Sequence, residues 1–295
     1  PAAQLQPPGA AKPIDVEDYA FSADINLVLL YTNAQRNWHH GNTRGDYWVL
    51  DRHAGSLRKL GGPDAQPSSL RFAKFSPQGD RVAYVRDNDI YVERLSDGAI
   101  TRLTTDGSAT ILNGDADWVD EEELYLRDCF RWSPDGTAIA YWQFDQSGVP
   151  VYDIINDTDS LYPTITPQPY PVPGATNASV RAGVVSAGGG PTTWLQLPGD
   201  PRQHYIAYLE WSGPHELLLQ HLDRLQQHDE VALANASTGA VHTIFTETDS
   251  AWVDVDRDIP WIDNGRRFLW LSDRDGWRHV YSVSRDGGDV RLLTP

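Results

Sequence analysis

Two stretches decide the fold: Phe75-Ser-Pro-Gln-Gly-Asp-Arg-Val-Ala-Tyr84 and Trp132-Ser-Pro-Asp-Gly-Thr-Ala-Ile-Ala-Tyr141. They agree position by position: an aromatic, Ser, Pro, a polar residue, Gly, two further residues, an apolar residue, Ala and Tyr. Ser-Pro-Asp-Gly reads as a β-turn, because Pro fixes φ and Gly accepts positive φ. The alternating residues after it predict a strand with one buried face. Looser copies start at Phe21, Trp211 and Trp261, so aromatic anchors stand at 21, 75, 132, 211 and 261.

Outward from each anchor the pattern continues. A further strand follows, as in Asp89–Arg94 or His279–Ser284, then a turn at Ser96-Asp-Gly98 or Asp286-Gly-Gly288, then a strand over 100–103 or 290–293. A repeated antiparallel meander with an aromatic anchor is the signature of propeller blades. The expected fold is therefore all-β: a β-propeller of four-stranded antiparallel blades, about five of them, forming one partial propeller domain over 1–295. Unrelated hairpins in a sandwich would not give two copies so nearly identical. The interval from 132 to 211 is 79 residues against 54 between 21 and 75, which marks an inserted segment with a job of its own. Helix signal is confined to 115–126, where Asp residues precede a run of Glu and an apolar end, the pattern of a helix start with acids in its first turn.

Composition narrows the function. The 295 residues carry a net charge of -17 and no basic run, which argues against binding nucleic acid through its phosphates. No apolar run reaches the length of a membrane span, and no basic-then-apolar leader opens the chain. The chain begins with Pro and contains no Met, so it is not read as starting at a native initiation codon. The single cysteine, Cys129, has no CxxC partner and is expected to be a small buried residue.

Chemistry-bearing motifs are few. Asp120-Glu121-Glu122-Glu123 stands out: two carboxylates match the three donors of one ammonium, while a solvated acidic helix start is the bland reading. No G-x-S-x-G elbow is present, so no catalytic triad is expected within the chain. His39-His40, the His215/His221 pair and Asp254-Val-Asp256-Arg-Asp258 lack metal-site spacing and read as polar loops. Gly188-Gly-Gly190 is followed by Pro and makes no phosphate loop. No metal or cofactor is implied. The turn is Ser-Pro-Asp-Gly rather than a sialidase-type Asp box, which argues against a carbohydrate-active propeller.

At Asp117-Trp-Val-Asp-Glu-Glu-Glu-Leu124 the sequence resembles the double-Glu motif of the dipeptidyl peptidase IV family, of the prolyl oligopeptidase clan. The likeness continues through Phe130-Arg-Trp-Ser-Pro-Asp-Gly136, Ile139-Ala-Tyr-Trp-Gln-Phe144, Asp159-Ser-Leu-Tyr-Pro163 and Tyr170 to Asn177. Asn42 to Trp48 and Asp275 to His279 resemble its bacterial branch. The resemblance implies an eight-bladed propeller of which this chain supplies about five blades, without the C-terminal α/β-hydrolase domain that holds Ser, Asp and His, so the chain alone is expected to be inactive. Two open sheet edges would then make it poorly soluble in isolation. The resemblance also implies a serine exopeptidase that removes N-terminal Xaa-Pro or Xaa-Ala dipeptides, with Glu122 and Glu123 binding the free α-ammonium of the peptide. It implies further a periplasmic or secreted protein, and homodimers built with a propeller loop and the hydrolase domain, half of which interface lies outside this chain. Two positions depart from the family: Asp120 replaces a Tyr, and His39 follows Trp38 where the family has Arg, leaving Arg36 or Arg44 as substitutes. The alternative is a non-enzymatic propeller scaffold or pseudoenzyme.

Overall fold

The computed structural model describes residues 2–37 and 41–295. It is almost entirely β, and five groups of four antiparallel strands follow the five anchors. The first group is Val16–Phe21, Leu27–Asn37, Gly41–Asp51 and Ser56–Lys59. The second, Leu70–Phe75, Arg81–Arg86, Asp89–Arg94 and Ile100–Arg102, continues the same sheet, with Arg44 and Gly45 opposite Arg71 and Leu70. The third runs Phe130–Trp132, Ala138–Asp145, Ser179–Ser186 and Thr193–Trp194, with the short strand Ile111–Asn113 added beside Ala138–Asp145 as a fifth. The fourth is His204–Gly213, Glu216–Asp223, His228–Asn235 and Val241–Thr248; the fifth is Trp261–Ile262, Arg267–Ser272, His279–Ser284 and Val290–Leu292. The four-stranded blades expected from the sequence are present. Each anchor belongs to the strand before the turn, a strand the repeat did not announce because its residues vary.

The turns form as their sequences dictate. Gly136 N donates to Ser133 O at 2.8 Å, and Gly79 N to Ser76 O at 2.9 Å. Gly136 sits at φ 66°, where a side chain would be strained. Ser133 Oγ donates to Asp135 Oδ1 at 2.6 Å and Thr137 N donates to the same oxygen at 3.0 Å. These bonds, the Ser133 hydroxyl first, pull the Asp135 pKa down to about 2.

Two of the anchors also tie one repeat to the one before it. Trp132 Nε1 donates to Lys74 O at 3.3 Å, and Trp211 Nε1 donates to Arg131 O at 3.2 Å. Lys74 and Arg131 each immediately precede the anchor of the preceding repeat, so the same bond recurs one blade on.

The chain divides into two compact units, one of residues 1–115, 132–139 and 185–192, the other of 116–131, 140–184 and 193–295. The first has a core of Leu29, Tyr47, Val49, Leu60, Leu70, Val82, Tyr84 and Tyr91. The second has a core that includes Leu218, Val231, Phe245, Phe268, Trp270 and Val283. Alternate residues of neighbouring strands supply both, as the period-2 pattern requires.

The inserted segment between the third and fourth anchors contains a separate hairpin, Val151–Asn156 paired with Thr164–Pro169, Val151 opposite Pro169 and Asn156 opposite Thr164. The helix expected over 115–126 is shorter, Trp118–Glu123. Asp117 caps its start, and Tyr125 at φ 50° turns the chain out of helical geometry just past Leu124. Cys129 is fully buried, its carbonyl accepting from Trp142 N at 3.0 Å. No helix among the described residues is long and apolar enough to cross a membrane.

Candidate functional site

The helix Trp118–Glu123, here α1, is built around its acids. Asp117 is the N-cap: Asp120 N donates to its Oδ1 at 2.9 Å, the bond that a capping Asp supplies to an orphan backbone donor. Asp120 O in turn accepts from Leu124 N at 3.2 Å and Leu126 N at 3.0 Å. Burial then divides the four acids of 120–123. Asp120 and Glu121 are buried, Glu122 is half-buried and Glu123 is exposed. Successive residues point about 100° apart around a helix of 3.6 residues per turn, so one face holds the first two and the open side the last two.

Charges around the buried face are matched unevenly. Arg127 Nε lies 4.0 Å from Glu121 Oε1. Asp117 and Asp120 are both buried, and Asp120 Oδ1 has no hydrogen-bond partner among the described residues. Burial pushes both carboxyls up, Asp120 well above the usual carboxylate range, with the charge of Asp117 adding to it.

Several residues outside α1 complete its surroundings. Trp118 packs on Tyr170, ring centroids 4.0 Å apart, and Tyr152 lies against Tyr170 at 5.7 Å. Asn177 Nδ2 donates to Tyr205 Oη at 2.9 Å, and the Tyr205 phenol, pushed up chiefly by burial, also feels the charges of Asp120 and Asp117. The guanidinium of Arg257 sits over the Tyr125 ring at 5.6 Å, and burial lowers its pKa. Trp118 of α1 is thus joined through Tyr170 to Tyr152 of the inserted hairpin. Tyr205 and Arg257 carried no sequence signal: each is one polar residue in an ordinary strand or loop.

The other sequence candidates fare differently. Trp38, His39 and His40 lie outside the described residues, as does the side chain of Arg36. Arg44 Nη2 donates to Gln35 Oε1 at 3.2 Å. His221, read from sequence as a loop residue, lies instead on strand Glu216–Asp223. It stands opposite Glu230, its Nδ1 3.3 Å from Glu230 Oε2, with its ring edge-on to His204 at 4.5 Å. Pairing to a complementary neighbour allows a polar residue to occupy a strand position there. The segment 254–258 is a loop, as expected.

The repeated four-stranded meanders, with a capped acidic helix between the second and third in chain order, define a β-propeller domain. The family model described as the dipeptidyl peptidase IV N-terminal region matches residues 22–295. The chain belongs to that family. It is 31% identical over 268 residues to mouse "Inactive dipeptidyl peptidase 10", covering 88% of this chain and 33% of that protein. It is 30% identical over 291 residues to dipeptidyl peptidase 4 of Trichophyton rubrum, covering 94% and 37%. The crystal structure of Porphyromonas gingivalis dipeptidyl peptidase 4 superposes with a TM-score of 0.89 at 27% identity, over 99% of this chain and 41% of that one. The chain thus spans about a third of the length of these curated relatives.

Proposed function

We propose that this chain is the substrate-recognition and gating region of a serine exopeptidase that removes N-terminal Xaa-Pro or Xaa-Ala dipeptides, with Glu122 and Glu123 binding the substrate's α-ammonium. The observation that carries this reading is the division of the acids: the two that the family motif assigns to the ammonium are the two on the open side of α1. A free α-amine, with a pKa near ~8, is mostly protonated at neutral pH, and two carboxylates favour that form further. Anchoring the ammonium fixes which carbonyl reaches the nucleophile, so the pair measures two residues from the chain end. The nucleophile and its partners belong to the hydrolase domain of such enzymes.

In the full-length gene product, Glu122→Ala and Glu123→Ala should each lower kcat/KM for Xaa-Pro-p-nitroanilides by roughly tenfold or more, as loss of a charged hydrogen-bond partner does. Unchanged kinetics in correctly folded variants would refute the assignment. N-acetylated substrates should be refused by the wild type.

A second reading, a non-enzymatic propeller, is favoured by two observations: the mouse relative is named as inactive, and Asp120 replaces the family Tyr. Absence of turnover from folded full-length protein would select it. For the assembled protein we propose a location outside the cytoplasm and a homodimer. The hairpin supports the dimer: Tyr152, Ile155, Leu161, Tyr162 and Ile165 are all exposed on it or at its tip, more apolar surface than an unpartnered hairpin ordinarily shows.

A further inference from the structure

We infer that Tyr170 is a positioning residue for the ammonium site: its ring, held at the base of the inserted hairpin, fixes Trp118 and through it the turn of α1 that carries Glu122. This rests on the reading of Glu122 and Glu123 as the ammonium's ligands. A six-residue helix does not hold its shape alone, because nucleation costs more than so few hydrogen bonds return. Its ends are fixed by Asp117 at the start and by Leu124 N on Asp120 O at the close. Caps set where a helix begins and stops; packing sets which way its faces point.

Trp118 opens α1, and Glu122 stands four residues on. At 3.6 residues per turn, four residues come round to within about 40°, so the indole and the Glu122 carboxylate share one side of the helix, one turn apart. Both are half-buried. The indole packs on the Tyr170 ring with centroids 4.0 Å apart and planes at 47°. Tyr170 can bear on it because its own backbone is tied. Tyr170 N donates to Pro150 O at 2.8 Å, one step beyond Val151 opposite Pro169. Tyr152 lies opposite Gln168, two residues from Tyr170, so both rings project from the same face of the hairpin, their centroids 5.7 Å apart. The outer ring of this row, Tyr152, is 59% exposed; Tyr170 is the middle ring and touches both neighbours.

Two further contacts lie near α1 and hold it less. Arg127 Nε is 4.0 Å from Glu121 Oε1 and its side chain is 44% exposed, an ion pair too long and too wet to orient a helix. Arg257 sits over Tyr125, two residues past the last helical one. Without the Tyr170 ring, Trp118 loses its support, the first turn of α1 gains freedom, and Glu122 no longer meets the ammonium together with Glu123. An aromatic pair is worth about three- to tenfold in an equilibrium constant. The effect falls on binding, because the ammonium is held alike before and during the chemical step.

The test uses the full-length gene product and an Xaa-Pro-p-nitroanilide. Tyr170→Ala should raise KM about three- to tenfold and change kcat by less than about twofold. Tyr170→Phe keeps the ring and should hold KM within about twofold of wild type. Tyr152→Ala, one ring further out, should raise KM less than Tyr170→Ala. Tyr170→Leu keeps apolar bulk without the ring, and carries the same expectation if Y170A does not fold. Two readouts separate positioning from general damage. Labelling by an amine-free fluorophosphonate needs the nucleophile but no ammonium, and its rate should stay at the wild-type value. In a Glu122→Gln background, Tyr170→Ala should add less to KM than it does alone, since both act at one contact. Where turnover is absent, the Kd of unblocked Gly-Pro-Gly, read by calorimetry, replaces KM. An unchanged KM in Y170A, an equal rise in Y170F, slowed labelling or full additivity with E122Q would each overturn the inference. Glu123→Gln runs alongside. If E122Q and E123Q raise KM and Y170A does not, the inference alone fails. If both leave it unchanged, or the wild type neither turns over nor binds, the ammonium reading fails and takes the inference with it.

Discussion

Residues of one type diverge in this protein according to what surrounds them. Within 120–123, sequence supplied four adjacent acids and the expectation that they splay around a helix; which two face inward depends on what packs against α1, as Tyr170 does on Trp118, and no local pattern records that. Asp229 makes the same point. It is fully buried opposite Glu247, and neither of its carboxyl oxygens has a protein hydrogen-bond partner. Glu247 is taken up by Trp270 Nε1 at 2.9 Å and Arg274 Nη2 at 2.8 Å. Burial first, then the charges of Glu247 and Glu230, push Asp229 up to about 7. A group raised above its unfolded value contributes stability that is fully present below the unfolded pKa and is lost as pH rises through the folded one. The fold should therefore lose stability between about pH 4 and about pH 7 from this residue, by up to roughly 4 kcal/mol. Asp229→Asn should flatten that slope in urea titrations at a series of pH values; an unaltered slope would show that Asp229 stays ionised.

At the scale of elements, the repeat was legible and its first strand was not. Ser-Pro-Asp-Gly specifies its turn through Pro, Gly and the Asp side chain, so the turn and the strand after it could be read directly. The strand ahead of each anchor has no fixed residue except the aromatic itself. What fixes the aromatic at 132 and 211 is visible only in three dimensions, as the indole bond to the carbonyl before the preceding anchor. Trp211→Phe keeps the ring but removes the donor, and should cost about 1 kcal/mol in denaturant unfolding. Trp277→Phe, at an exposed position, should cost nothing measurable. Equal effects would mean that the indole bond is not what conserves the register of the blades. The short helix was legible for a different reason: capping Asp and first-turn acids are local chemistry, whereas its end depends on Tyr125 adopting positive φ, which no residue type announces.

For the whole molecule, family membership and the propeller fold are set by nearly the entire chain, with the match running from 22 to 295. The hairpin was foreseeable only as an interval too long for one blade. Its exposed apolar side chains lead to an expectation for the assembled protein: replacing Ile155 and Leu161 with Asp should convert a dimer to a monomer in analytical ultracentrifugation, without changing blade stability. A dimer that survives both changes would place the interface elsewhere. The net charge of -17 bears on the ligand as well. The attraction of an acidic surface for a cationic chain end is weakened by salt, whereas the proposed contact of Glu122 and Glu123 with an α-ammonium would be short-range and persist. That contact is the centre of the account, and its most direct measurement is the kcat/KM of the full-length gene product for Gly-Pro-p-nitroanilide, beside the same protein with Glu122 and Glu123 both changed to Ala. The account predicts turnover in the first and its loss in the second, with folding intact; equal turnover in the two would contradict it.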